Sequence, residues 1–109
     1  NVERRERICT LNDQLRRFGT GGRIMITAGV AHQGPEFTAT LLQEIARFDQ
    51  FDDRNDPYGE HDFGALTLGS QRVFWKIDYY DQSLTSAAVD PSSTTGCVRV
   101  LTVMLAEEY

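Results

Sequence analysis

Hydrophobic positions recur at helical spacing in two segments of the chain. In the first segment arginines separate the apolar positions, which are Ile8, Leu11, Leu15 and Phe18. Steps of three and four residues predict an amphipathic helix, and the glycine-rich residues 19–22 predict its end. In the second segment Pro35 stands where a first helical turn accepts it. The apolar positions that follow are Phe37, Leu41, Ile45 and Phe48. They predict a second helix that runs to about Phe51.

Strand patterns occupy most of the remaining chain. Residues 23–27 are apolar on both faces and predict an interior strand, followed by a connection over residues 28–33. Residues 63–68 and 71–78 are two strand patterns separated by a glycine-first pair, which predicts a β-hairpin with a tight turn. Residues 97–105 predict a long final strand.

The order helix, strand, helix and three strands predicts one α+β domain over residues 1–109. The expected architecture is a two-layer sandwich, in which two helices cover one face of a mostly antiparallel sheet. Residues 81–96 form a polar connection that is long for a segment without regular structure, so we expect it to have a function or to move. Phe74 and Trp75 point to opposite faces of their strand, so one of them is expected to be exposed or to lie in an interface, such as that of a homodimer.

Composition narrows the class of protein. Apolar residues make up 40% and charged residues 25% of the 109 residues, which is ordinary for a soluble globular protein. No apolar run approaches the roughly 18 residues that suggest a membrane span. Cys9 and Cys97 lack metal or redox spacing and are expected to be buried free thiols, which favours a reducing cytoplasm.

The charge is unevenly distributed. The chain carries a net charge of −5, but residues 1–25 hold six arginines against three acids, and the remainder holds thirteen acids against five bases. Six of these acids fall in residues 49–62, which we call the acidic loop. The loop is either a solvated, solubilising segment or a docking surface for a cation, a basic protein, or a groove that normally binds nucleic acid. The candidate binding residues are Asp52, Asp53, Asp56 and Glu60. Direct binding of nucleic acid is not expected from such a surface.

Candidate catalytic residues lie at the end of the acidic loop and of the hairpin. They are His61, Asp62, Asp78, Tyr79 and Asp81. Carboxylate, imidazole and phenol groups can exchange protons when burial or nearby charges shift their pKa values. Alternatively, Asp56 and Asp62 accept backbone hydrogen bonds within a turn, and the hairpin cluster is a packed strand end.

Metal binding and cofactors receive little support from the sequence. His61, Asp62 and Asp78 are weak metal candidates, because oxygen ligands suit hard cations and a histidine admits Mn²⁺ or Zn²⁺. The calcium-loop spacing fails, since Pro57 and Tyr58 occupy positions that the loop assigns to a ligand and a glycine. We therefore expect no cofactor.

Residues 55–64 (NDPYGEHDFG) and 74–81 (FWKIDYYD) form two distinctive blocks of sequence. These blocks resemble those of a small bacterial protein family of unknown function. Further similar blocks are residues 11–13, 21–23, 27–30, 34–36 and 99–109. The resemblance covers nearly the whole chain. It implies a cytoplasmic bacterial protein, often encoded near or on mobile elements, and no assigned activity. Small acidic proteins from that setting are often inhibitors of host defence, including anti-CRISPR and anti-restriction proteins.

The sequence favours a binding protein over an enzyme, because no catalytic constellation is complete. The first hypothesis is a small acidic inhibitor or regulator that docks on a basic surface of a macromolecule. The alternative is a metal-assisted hydrolase that uses His61 and Asp62 with Asp78 or Asp81. A third is a structural subunit whose sheet edge pairs with a second copy.

Overall fold

The computed structural model describes residues 1–109 and contains four helical segments and four strands. The helices are α1 (Val2–Phe18), α2 (Ala28–His32), α3 (Pro35–Ala46) and a short 3₁₀ helix (Ala106–Glu108). The strands are β1 (Arg23–Ile26), β2 (Phe63–Leu68), β3 (Gln71–Tyr80) and β4 (Val98–Leu105). The predicted α+β class and the hairpin of β2 and β3 are confirmed. Helix α2 and the 3₁₀ helix are additional.

Helix α1 begins and ends at capping residues. The Asn1 side chain accepts a hydrogen bond of 2.7 Å from the backbone N–H of Arg4. Such an N-cap satisfies one of the free amides of the first turn. Gly19 adopts φ 73° and its N–H donates to the Leu15 carbonyl, which ends the helix in a left-handed conformation. The glycines therefore stop α1 where the sequence predicts.

The strands form one sheet in the order β1-β4-β3-β2. The β2–β3 and β3–β4 pairs are antiparallel, whereas β1 lies parallel to β4. The expectation of an interior strand at residues 23–27 is wrong, because β1 pairs with β4 alone and forms an edge. Its residues Arg23, Ile24 and Met25 are exposed, and only Ile26 packs against the core.

Tertiary contacts also set two helix boundaries that the sequence did not predict. Residues 28–33 were expected to be a connection, but α2 forms there because Thr27 caps its amides and Glu108 accepts a hydrogen bond of 3.0 Å from Gly29 N. Helix α3 ends at Ala46, before the expected Phe51. The buried guanidinium of Arg16 donates to the carbonyls of Ile45, Ala46 and Phe48, so these groups have partners without further helical turns.

The core lies between the helices and one face of the sheet. Three helices contribute buried side chains, which are Leu15, Val30, Leu41 and Ile45. The sheet contributes Val73, Trp75, Ile77, Leu101, Val103 and Leu105. Gly64 lies opposite Trp75 in the β2–β3 register, and a Cβ atom on Gly64 would lie 2.4 Å from Trp75 Nε1. Only glycine fits beneath this ring.

The helices that contribute to the core lie on one face of the sheet, and Tyr109, directly after the 3₁₀ helix, packs on the other face. Phe74 lies there and is half-buried, whereas Trp75 on the covered face is fully buried. Phe74 contacts Phe63 and Tyr109, with ring centroids 5.5 and 5.6 Å apart. The expectation that these two aromatic residues face opposite sides is confirmed.

Residues 81–96 follow β3 without a helix or a strand. A single bridge joins Tyr80 to Ala87, and Asp81 N donates to the Ser86 carbonyl at 2.8 Å. Both cysteines are free, as expected. Cys97 is buried, whereas Cys9 is half-buried and not buried as predicted. None of the helices combines the length and the apolar character needed to cross a bilayer.

Candidate functional site

A buried carboxylate organises the end of the acidic loop. Asp56 is 8% exposed, and its Oδ1 accepts hydrogen bonds from the backbone N–H groups of Glu60 and His61, at 2.9 and 3.1 Å. The backbone after Asp56 adopts left-handed conformations at Gly59 and His61, with φ of 68° and 55°. For His61, which has a side chain, this conformation is sterically unfavourable. Asp56 therefore accepts backbone hydrogen bonds within a turn, as one of the two interpretations of the sequence predicts.

His61 lies between two carboxylates from different parts of the chain. Its Nδ1 is 2.9 Å from Asp13 Oδ1, and its Nε2 is 3.7 Å from Asp56 Oδ2. The imidazole also stacks on Phe51, with ring centroids 3.8 Å apart and an angle of 4° between the planes. These contacts fix the ring, while 28% of the side chain stays exposed to solvent.

Asp13 is held in turn by Arg16, one helical turn further along α1. Arg16 Nη2 donates to Asp13 Oδ1 at 2.8 Å, and the Arg16 guanidinium also lies over the rings of Phe51 and Trp75. Burial raises the pKa of Asp13, but hydrogen bonds from Arg16 and His61 outweigh it and lower this pKa below its ordinary value of 3.8. Asp13 is therefore ionised at neutral pH.

Cys9 completes this group from the preceding turn of α1. Its Sγ is 3.9 Å from Asp13 Oδ2, and one ligand atom each of Cys9, Asp13 and His61 lie within 4.8 Å of one another. Burial and the negative charges of Asp13 and Asp56 raise the pKa of Cys9 to about 11. The free thiol is therefore protonated at neutral pH and is a poor nucleophile.

A second polar network joins α1 to the sheet through Asn12. Asn12 Nδ2 donates to the Glu60 carbonyl at 3.0 Å and to the Tyr79 hydroxyl at 2.8 Å, and Asn12 Oδ1 accepts from Arg99 Nε at 2.9 Å. Arg99 also donates to the Pro91 carbonyl. The fully buried Asn12 therefore connects the helix, the acidic loop, β3 and β4.

Tyr79 is a structural member of this network. Its hydroxyl donates to Glu60 Oε1 at 2.9 Å. Burial raises the pKa of Tyr79 well above its ordinary value, with the nearby negative charges of Glu60 and Asp62 adding to the increase. The phenol therefore keeps its proton at neutral pH, which does not suit a general base.

The structure places the other candidate acids apart. The Asp62 carbonyl accepts from Ile77 N at 2.9 Å, so Asp62 lies opposite Ile77, whose side chain belongs to the helix-covered face. Asp78 is the next residue of β3 and belongs to the opposite face of the sheet, where it accepts a hydrogen bond from Lys76 Nζ at 2.7 Å. Asp81 accepts from Ser83 Oγ at 2.8 Å in the following turn.

Asp62 has the unusual protonation behaviour among these acids. Burial and the negative charge of Glu60 raise the pKa of Asp62 above its ordinary value of 3.8. The hydrogen bonds from Ser83 and from backbone amides lower the pKa of Asp81.

Of the three proposed metal candidates, which are His61, Asp62 and Asp78, only His61 belongs to a group whose ligand atoms lie together.

Several members of the site come from α1, where the sequence analysis proposed no functional residue. They are Cys9, Asn12, Asp13 and Arg16. The spacing of Cys9 and Asp13 at i and i+4 places them on one helix face. That spacing was the available local signal, but it gives no indication that His61, 48 residues beyond Asp13, lies beside them.

Comparison with known proteins identifies a family for this chain but no individual relative. No curated protein and no solved structure matches it. A family model matches residues 26–108. The match includes the acidic loop and strands β2 to β4, whereas α1 lies outside it. Because it covers well over half of the chain, the protein belongs to this family, which is described as "Protein of unknown function (DUF3768)".

Proposed function

We propose that this protein is a small acidic binding protein, an inhibitor or regulator that docks the acidic loop on a basic surface of another macromolecule. The supporting observation is the arrangement of the loop's carboxylates. Asp49, Asp52 and Asp53 are exposed, and between residues 49 and 54 only Arg54 carries a positive charge. These three acids form the docking surface.

Hydrogen bonds within the loop hold this surface in one conformation. Asp52 N donates to Asn55 Oδ1 at 2.9 Å, Asn55 Nδ2 donates to the Gln50 carbonyl at 3.0 Å, and Asp56 N donates to the Asp52 carbonyl at 2.8 Å. A loop that is ordered before binding loses less conformational entropy when a partner docks. The rigidity of the loop therefore supports recognition in addition to solubility.

Two of the sequence candidates contribute to the loop in another way. The Asp56 carboxylate is buried and bonded to backbone amides, and Glu60 accepts a hydrogen bond from Tyr79. Both groups therefore stabilise the conformation of the loop and are not part of its docking surface. On the surface, Arg54 Nη2 lies 2.9 Å from Asp52 Oδ2, so Asp49 and Asp53 are the acids without such a pairing within the loop.

The proposal extends to the origin, the cellular location and the target of the protein. We propose a bacterial, cytoplasmic protein, encoded on or near mobile elements, whose target is a basic protein of a host defence system, as for anti-CRISPR proteins. The family resemblance and the acidic surface support this setting. The sheet face opposite the core, where Phe63, Phe74 and the exposed Tyr109 are in contact, supports self-association as a further property.

The test compares two triple variants that change the net charge equally. In the first, Asp49, Asp52 and Asp53 are replaced by Asn; in the second, the exposed Glu36, Glu44 and Glu107 are replaced by Gln. Binding of a labelled poly-L-arginine peptide is followed by fluorescence anisotropy at low and high salt. We expect binding to weaken with salt and the loop variant to lose several times more affinity than its control. Equal losses would mean that the peptide senses net charge alone, which would refute a docking surface at the loop.

The alternative of a metal-assisted hydrolase built from His61 and Asp62 with Asp78 or Asp81 has less support. Asp62 and Asp78 belong to opposite faces of the sheet, and Asp81 is engaged in its own turn. A hydrolase of this kind requires its carboxylates to converge on one ion.

A further inference from the structure

The group of Cys9, Asp13 and His61 has a chemistry that the docking function leaves unused. We infer that these three residues form a binding site for a single Zn²⁺ ion, with a fourth coordination position open to solvent. This inference goes beyond the proposed docking function and does not depend on it. The ligand set shares only His61 with the set that the sequence suggested.

The distances between the donor atoms fit a small tetrahedral ion. Ligand atoms around tetrahedral zinc lie about 3.3–3.7 Å from one another, given Zn–S near 2.3 Å and Zn–N and Zn–O near 2.0 Å. Here Cys9 Sγ lies 3.9 Å from Asp13 Oδ2, and His61 Nδ1 lies 2.9 Å from Asp13 Oδ1. All three donors lie within 4.8 Å of one another. The separations between the donor atoms therefore differ from the tetrahedral values by no more than about 1.5 Å.

The types of donor select the metal. When the ion binds, the Cys9 thiol releases its proton to solvent. The resulting thiolate is a soft ligand that Ca²⁺ and Mg²⁺ do not favour, whereas sulfur, imidazole and carboxylate ligands together suit Zn²⁺. Three protein ligands with one open position are typical of zinc sites that bind water or a substrate. The carboxylate oxygen Asp13 Oδ2 faces the thiol, while Oδ1 accepts a hydrogen bond from Arg16. The contact between His61 Nδ1 and Asp13 Oδ1 would be given up when Nδ1 binds the ion.

Neighbouring groups already orient each ligand. Cys9 and Asp13 are one turn apart on α1, and Arg16 holds the Asp13 carboxylate. Phe51 stacks on the His61 ring, and Asp56 accepts the His61 backbone N–H. Asp56 Oδ2 also lies 3.7 Å from His61 Nε2, so a small shift would let it accept that N–H while Nδ1 binds the ion. Zinc-bound histidines commonly have such a carboxylate partner.

An ion can reach this group from solvent. A surface depression of about 430 Å³ is lined by Cys9, Glu6 and Arg5 from α1 and by Gly59 from the acidic loop. His61 and Asp13 are partly exposed, with side-chain exposures of 28% and 22%. The site therefore joins α1 to the acidic loop at the protein surface, and a bound ion would crosslink the two segments.

The experiment measures metal binding to the reduced full-length chain. Isothermal titration with Zn²⁺ is expected to give one ion per chain, and Co²⁺ is expected to give a thiolate-to-metal charge-transfer band in the near ultraviolet. Cys9→Ser and His61→Gln should each weaken Zn²⁺ binding by more than about a hundredfold, the upper end of what losing an outer-shell partner costs, and Cys9→Ser should abolish the cobalt band.

Two matched variants serve as controls. His32→Gln removes an exposed histidine and Cys97→Ala removes the other cysteine, and neither should change the affinity for Zn²⁺. The circular dichroism of each metal-free variant establishes that it is folded. If His61→Gln unfolds, Cys9→Ser still decides the question, because it changes a single atom of a half-buried side chain. Unchanged Zn²⁺ affinity in Cys9→Ser, or a cobalt complex without the thiolate band, would overturn the inference.

Discussion

Replacing Asp56 by Ala tests whether the acidic loop is built around a buried carboxylate. The substitution leaves the backbone N–H groups of Glu60 and His61 without their acceptor, at a position that is 8% exposed. A net hydrogen bond to a charged group is worth about 1.5–3 kcal/mol, and an unsatisfied buried donor costs about 1–3 kcal/mol. Two such bonds would together contribute about 3–6 kcal/mol, and because the loop can relax and admit water we expect a smaller loss of about 2–4 kcal/mol in the free energy of unfolding.

Asp53→Ala is the matched control, since it removes one negative charge from the same loop at an exposed position. It should change the free energy of unfolding by no more than about 0.5 kcal/mol. Urea denaturation followed by the fluorescence of Trp75, the one tryptophan and fully buried, measures both variants. For a domain of this size, the Asp56 variant should also melt at least about 8 °C lower. Equal stabilities of the two variants would refute a structural role for the Asp56 carboxylate.

Two further substitutions test the core and the Asp13 pairing. Gly64→Ala should lower the free energy of unfolding by about 1–3 kcal/mol, because the added Cβ would lie 2.4 Å from Trp75 Nε1; wild-type stability in urea would show that the ring shifts freely. Asp13→Asn should lose stability at neutral pH. Since the folded-state pKa of Asp13 lies below 3.8, its contribution is present above that pH and disappears as the pH falls through the folded-state pKa. Denaturation between pH 7 and pH 3 should therefore show the two proteins converging only at the acid end, and a gap that is constant throughout would contradict this role.

The sequence predicted part of the candidate site. For residues 55–64 the sequence left two interpretations, a tightly built turn or a polar functional site; the turn was one of them because Asp, Gly and Pro at short spacing favour turns. The pairing of His61 with Asp13 could not be predicted, because it depends on how α1 lies against the acidic loop. The burial of Asp56 is similar, since its type and neighbours are equally compatible with an exposed docking acid.

Local chemistry determined the class of fold, the end of α1 and the β2–β3 hairpin. Helical periodicity, Gly19 and the Gly69-Ser70 pair act within a few residues, so their effects can be read along the chain. Tertiary structure decided that β1 is an edge strand, that α2 forms and that α3 ends at Ala46. The physical reason is that each of these depends on a distant partner: β4 for β1, Glu108 for α2 and Arg16 for the last carbonyls of α3.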